Sequence, residues 1–237
     1  MKKIILATTA LVFSAGFAMA DTVRMGTEGA YPPYNFVNDK GEVDGFEREI
    51  GDELCKRADL TCEWVTNEWD SIVANLTSGN YDTIIAGMSI SDERKQTIDF
   101  SENYLPPALS SYLAPAADAD LTGAIAAQTG TIQADYIAKS GATLIEFATL
   151  DDTIAAVKSG EADAVFADRD ALKPFSEGQD LVWAGENVTL DQGIGIGIRK
   201  SDTELKAKFD AAIESMKADG TLNTAIKKWF GDDAATF

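Results

Sequence analysis

Apolar positions along this chain recur in two alternating rhythms. Across residues 45–58, Phe46, Ile50 and Leu54 fall four apart, the spacing of one helical face. Across 69–78 the stripe Trp69, Ile72, Val73, Leu76 predicts a second helix, stopped by Gly79. Short apolar runs at 22–27, 62–65 and 83–86 read as strands around these helices. Strands alternating with helices argue for an α/β architecture, with a mostly parallel sheet flanked by helices. A second series of the same kind follows Pro106-Pro107. Its extended segments are 109–114, 123–127, 143–147 and 163–167, and its helices are 131–140 and 151–159. The tail adds a strand at 194–199 and helices near 203–218 and 222–230.

No long low-complexity linker separates the two series. The Pro106-Pro107 segment and the Gly193/Gly195/Gly197 run are the candidate crossings between them. Two crossings imply a two-lobed layout with two sheets. Residues 21–107 and 195–237 would form a discontinuous first lobe and residues 108–194 the second, with a ligand cleft between.

Residues 1–20 carry the marks of a secretory signal: Lys2 and Lys3, a mostly apolar run from Ile4 to Phe17, and Ala18-Met19-Ala20 before Asp21. Cleavage after Ala20 would leave 217 of the 237 residues and move the formal charge from −19 to −21 by removing two lysines. So acidic a chain is a poor partner for nucleic acid or an anionic membrane, and favours the approach of cationic small molecules. The two cysteines, Cys55 and Cys62, join the end of a helix to the next strand, and in an exported protein they read as a disulfide. The chain has no histidine, and two thiolates alone do not complete a zinc site, so no metal and no cofactor is expected.

The segment YDTIIAGMSISDERKQTIDFS, residues 81–101, concentrates the chemistry. Gly87 lets a ligand approach the backbone, and Ser89 supplies a donor and an acceptor. Ser91 is a candidate N-cap with Asp92 and Glu93 in the first turn, and Arg94 offers a planar fork suited to a carboxylate. Four further segments add polar groups at strand ends or helix starts. They are GTEGAYPPYNF with Glu28, Tyr31 and Tyr34; Asn67-Glu68-Trp69-Asp70; Gln128-Thr129-Gly130-Thr131-Ile132-Gln133; and Asp163 to Asp168.

These segments, in this order over essentially the whole chain after residue 20, resemble the bacterial extracytoplasmic amino-acid-binding proteins, solute-binding family 3, of the lysine/arginine/ornithine- or opine-binding type. The resemblance implies a periplasmic receptor that delivers an amino acid to the membrane permease subunits of an ABC importer, acting as a monomer. It implies that Arg94 takes the α-carboxylate with the turn 128–133, where Gly130, Thr131 and Gln133 match the family's loop, and that Asp168 takes the α-ammonium beside Ser89 and the Gly87 carbonyl. Glu28 would meet a cationic side chain between Tyr31 and Trp69. It also supports the Cys55–Cys62 bridge. Ala86 and Gly87 replace a serine pair, and Gln128 and Ile132 replace a leucine and a threonine. These departures leave room for an arginine derivative, or for a neutral polar amino acid such as glutamine. A dehydratase-like enzyme on the same fold would need a general acid in the cleft, and the sequence shows no nucleophile–base pair. The expectation is therefore a binding protein without catalytic residues.

Overall fold

Phe46, Ile50 and Leu54 lie buried on one face of the helix Phe46–Arg57, which packs against a sheet containing Met25 and Ile84. The computed structural model describes residues 22–176 and 180–237. The secretory signal read at 1–20 lies outside these residues. Two five-stranded sheets organise the molecule. The first runs Cys62–Thr66, Val23–Thr27, Thr83–Ile84, Ile194–Ile198, Asp99–Leu105. The second runs Thr143–Phe147, Ala124–Gln128, Ala164–Asp168, Leu109–Ala114, Val182–Thr189. In each, three neighbouring strands are parallel and the fourth is antiparallel to both of its neighbours. Most strands of each sheet thus share a direction, although half of the pairings are antiparallel. The helices Ile132–Ser140 and Leu150–Ser159 cover the second sheet, and Thr203–Ala218 and Thr221–Phe230 return to the first.

The chain passes from the first sheet to the second after Leu105 and returns before Ile194. Asp191 links the two crossings: its Oδ1 accepts the backbone N–H of Ala108 at 3.2 Å and of Gly193 at 3.1 Å. Gly193 has φ +103°, and a Cβ there would lie 2.6 Å from the Leu105 carbonyl oxygen. The rest of the glycine run serves packing instead. Gly195 and Gly197 sit inside a strand, where a Cβ would come within 2.9 Å of Ile90 and 3.1 Å of Ile98 respectively.

Several elements differ from the pattern reading. The helix at 69–78 starts as a 3-10 turn, Trp69–Ser71, before the helix Ile72–Thr77. The strand at 83–86 keeps regular pairing only over Thr83–Ile84, because Gly87 turns the chain at φ +60°. The helix after Ser91 is the single turn Arg94–Thr97, with Asp92 and Glu93 before it, although the Ser91 hydroxyl still accepts the Arg94 N–H at 3.2 Å. Four elements carried no pattern strong enough to read. These are a three-stranded sheet of Ala30–Tyr31, Asn35–Val37 and Val43–Asp44, the strand Asp99–Leu105, the helix Arg169–Ser176, and the bulged edge strand Val182–Thr189. Cys55 and Cys62 form the disulfide, tying the end of the helix Phe46–Arg57 to the edge strand beside it.

Candidate functional site

Ends of strands from both sheets meet in a narrow cleft lined by Glu28, Tyr31, Trp69, Ala86, Gly87, Arg94, Gln128, Thr131, Gln133 and Asp168. Nine of these are the ligand-binding candidates named from the sequence, and the tenth, Ala86, was read there as a serine replacement that leaves room. The free volume is about 20 Å³, near the minimum for one water. Anything larger than a water therefore enters only by displacing some of the contacts that bridge the cleft.

Three hydrogen bonds make that bridge. Tyr31 donates its hydroxyl to Asp168 Oδ2 at 2.8 Å. Gln128 donates Nε2 to Glu28 Oε1 at 2.6 Å and to the Ala148 carbonyl at 3.0 Å. Arg94 donates to the Gly130 carbonyl at 3.2 Å, while another guanidinium nitrogen holds the Ser89 carbonyl at 2.9 Å on its own side. Each bond joins a residue from the side of the first sheet (Tyr31, Glu28, Arg94) to one from the side of the second (Asp168, Gln128, Gly130).

The electrostatics follow from enclosure. Burial raises the Asp168 carboxyl to about 7 against the Tyr31 hydrogen bond and the Arg94 charge, which pull it down. Burial likewise raises Glu28 to about 7, opposed by the Gln128 amide. The enclosed Arg94 guanidinium falls to about 10, again through burial, with Asp168 the first charge opposing the fall. A cation beside either acid, or an anion beside Arg94, would reverse these shifts. Arg94 also lies over the Trp69 ring, 5.3 Å from its centroid.

Tyr31 and Trp69 both line the space, and each ring also packs. Tyr31 stacks at 5.5 Å on Tyr34, which is itself buried against Phe230 at 4.9 Å. Tyr34 is thus a packing residue behind the cleft. Trp69 is buried in the same apolar cluster as Ile72 and Ala86 and also lines the site. Thr131 caps the helix Ile132–Ser140, its hydroxyl accepting the Ala134 N–H at 3.1 Å and donating to the Gln128 carbonyl. Gln133 reaches Asp168 Oδ1 at 2.8 Å and Ser110 at 3.0 Å from the same nitrogen.

Ser89 is the position that does not line the cleft. It is buried, pairs with Ile194, and adjoins Asp191, whose carboxyl, raised by burial, its side chain helps to hold down. Asp191 was missed from sequence; its only signal was a carboxylate two residues before the Gly193 turn. Asp163, just before the strand Ala164–Asp168, accepts the Ala124 N–H at 2.8 Å outside the site.

Residues 23–232 match the sequence profile of the bacterial extracellular solute-binding proteins, family 3. The chain is 32% identical over 253 residues to the lysine/arginine/ornithine-binding periplasmic protein of Escherichia coli K12, with 97% of each chain covered. It is 31% identical to the L-arginine-binding protein of Pseudomonas aeruginosa, over 92% of this chain and 91% of that one. A solved structure of a periplasmic His/Glu/Gln/Arg/opine family-binding protein from Silicibacter pomeroyi, in complex with lysine, superposes with a TM-score of 0.90 at 70% identity. That comparison covers 91% of this chain and 100% of the other.

Proposed function

We propose, from the premise that this chain belongs to the bacterial extracellular solute-binding proteins of family 3, that it captures an amino acid with a cationic side chain and delivers it to an ABC importer. The observation that carries this reading is the charge order of the cleft. An enclosed cation, Arg94, and a buried acid, Asp168, stand together, with a second enclosed acid, Glu28, near the aromatic pair. The first two suit the carboxylate and ammonium of any α-amino acid. Glu28 between Tyr31 and Trp69 suits an ammonium or guanidinium beyond them. Thr131 and Gln133 contribute through the helix start and through Asp168. Micromolar capture requires about −8 kcal/mol net.

In this reading the first lobe comprises residues 21–107 and 195–237, the second 108–194, and the crossings act as the hinge. The receptor works as a monomer after export and cleavage following Ala20, and the permease engages the closed lobes.

One observation favours a neutral ligand: Glu28 already has an amide partner, Gln128, at 2.6 Å, and its raised pKa tolerates the uncharged form. Raised carboxyls at Glu28 and Asp168 also meet the requirement for a general acid in a dehydratase-like enzyme. Binding is preferred because the named relatives are binding proteins and because a cationic ligand would ionise both acids on arrival.

The test is a calorimetric competition series of arginine, lysine, ornithine, an opine, glutamine, glutamate and leucine. Cationic ligands should bind tightest, and Glu28→Gln should weaken them selectively. Glutamine binding tightest, with Glu28→Gln neutral, would replace the cationic reading by the neutral one. Turnover of any ligand would favour the enzyme.

A further inference from the structure

Glu47 is fully buried at the start of the helix Phe46–Arg57, on a face that is otherwise apolar. Its Oε1 accepts the backbone N–H of Gly87 at 2.6 Å and the hydroxyl of Tyr104. Its Oε2 accepts Asn35 Nδ2 at 2.7 Å. Asn35 in turn uses Oδ1 to accept the Gly29 N–H at 2.7 Å. Each partner belongs to a segment the site depends on. Gly87 lines the cleft, Gly29 adjoins Glu28, and Tyr104 is in the strand that runs into the first crossing. The same helix start reinforces the grip, since the Phe46 and Glu47 N–H groups bond the carbonyls of Pro33 at 3.0 Å and Tyr34 at 2.8 Å.

We infer that Glu47 is a positioning residue, which touches no ligand but holds both first-lobe binding loops and the hinge strand in one register. A carboxylate is costly to bury, and an apolar residue would fill the same volume without that cost. What an apolar residue lacks is the capacity to accept three hydrogen bonds from three separate segments. Gly87 has φ +60°, a conformation that leaves its N–H directed away from the sheet ladder, and Glu47 supplies the acceptor. The consequence for affinity rests on the ligand reading above; the network itself does not.

The donor–acceptor order makes the inference testable. Every partner of Glu47 is a donor, and glutamine would turn one acceptor into a donor. In Glu47→Gln the new NH₂ faces either Gly87 and Tyr104 or the Asn35 amide. Asn35 could flip to accept it, but would then present NH₂ to the Gly29 N–H. In the double variant Glu47→Gln with Asn35→Asp, one oxygen of the introduced carboxylate accepts from the introduced amide and the other from Gly29. Every bond then regains a donor and an acceptor.

Amide hydrogen exchange at Gly29 and Gly87, followed by NMR on the full chain, tests the network. Calorimetry with arginine and lysine tests its effect on the cleft. Glu47→Gln should speed exchange at one or both glycines at least tenfold and weaken binding at least tenfold. The double variant should bring both within threefold of wild type. Native exchange and affinity in Glu47→Gln, with or without a lower melting temperature, would overturn the inference. So would a folded double variant that recovers neither property. If Glu47→Gln does not fold, the double variant folding with native exchange supports the inference, and its failure to fold overturns it. If wild type binds neither amino acid, the cationic reading fails and the exchange arm alone decides the role of Glu47.

Discussion

Tyr31 and Asp168 stand 137 residues apart in sequence and 2.8 Å apart across the cleft. The phenol donates to Asp168 Oδ2, while Gln133 holds the other carboxylate oxygen at 2.8 Å. If Asp168 meets the ammonium, as proposed, the bond that closes the cleft and the ligand compete for one oxygen.

This competition separates two substitutions. Tyr31→Phe loses a bond that an arriving ammonium would replace, so affinity should stay within about threefold while the contact's contribution of about 1 kcal/mol to closure is lost. Asp168→Asn removes the counter-charge and should cost about 2–3 kcal/mol of binding. Calorimetry on the two variants with lysine decides: equal losses would mean that Asp168 does not meet the ammonium.

Arg94 combines one bond on its own side, to Ser89, with one across the cleft, to Gly130. Arg94→Ala should weaken binding by about 2–4 kcal/mol, and Arg94→Lys should recover only part of it, because an ammonium cannot hold Ser89 and grip a carboxylate with a fork. Near-native affinity of Arg94→Ala in a titration would remove it from the site.

Both cleft acids titrate near 7 in the folded protein, above their ordinary values near 4. Between those values the folded state holds more protons than the unfolded one, so their contribution to stability is full below about pH 4 and is lost as pH rises through about 7. A cationic ligand selects the ionised forms. Its affinity should therefore rise from pH 5 to about 7 and then level, with proton release on binding at pH 6. Calorimetry in buffers of different ionisation enthalpy measures that release, and Glu28→Gln should reduce it. No proton release in wild type would contradict the shifts.

The Cys55–Cys62 bridge closes a short loop within the first lobe, far along the helix from Glu47. Reduction should lower stability by about 2–3 kcal/mol on loop-closure grounds while leaving affinity nearly unchanged. Paired denaturation and titration curves with and without reductant check this, and a large affinity loss would mean that the bridge supports the cleft.

The helices and central strands were legible because burial on one face leaves a period in the sequence, as with Phe46, Ile50 and Leu54. The strand Asp99–Leu105 was not, since Asp99, Ser101, Glu102 and Asn103 hide its pleat. The edge strand Val182–Thr189 has one half-solvated side and a bulge after Ala184. Strands of two or three residues around Pro32-Pro33 are too short to show any period. At the site, residue type revealed what a side chain can do but not which partner takes it. Ser89 could donate to a ligand, yet the fold pairs it with Ile194 and leaves it out of the cleft lining. Glu47 could have been suspected as a charge in phase with Ile50 and Leu54, but its partners lie 12, 40 and 57 residues away.

The strand Ile194–Ile198 lies between Thr83–Ile84 and Asp99–Leu105, although the chain makes it last of all the strands described. The second sheet, by contrast, is complete by Thr189, where the chain comes back to pair with Leu109. A polypeptide emerging from its N-terminus thus has every strand of the second sheet available while the first is still two unjoined pieces. The late strand closes that gap from the middle, so the sheet that begins the sequence is the last to have all its strands available.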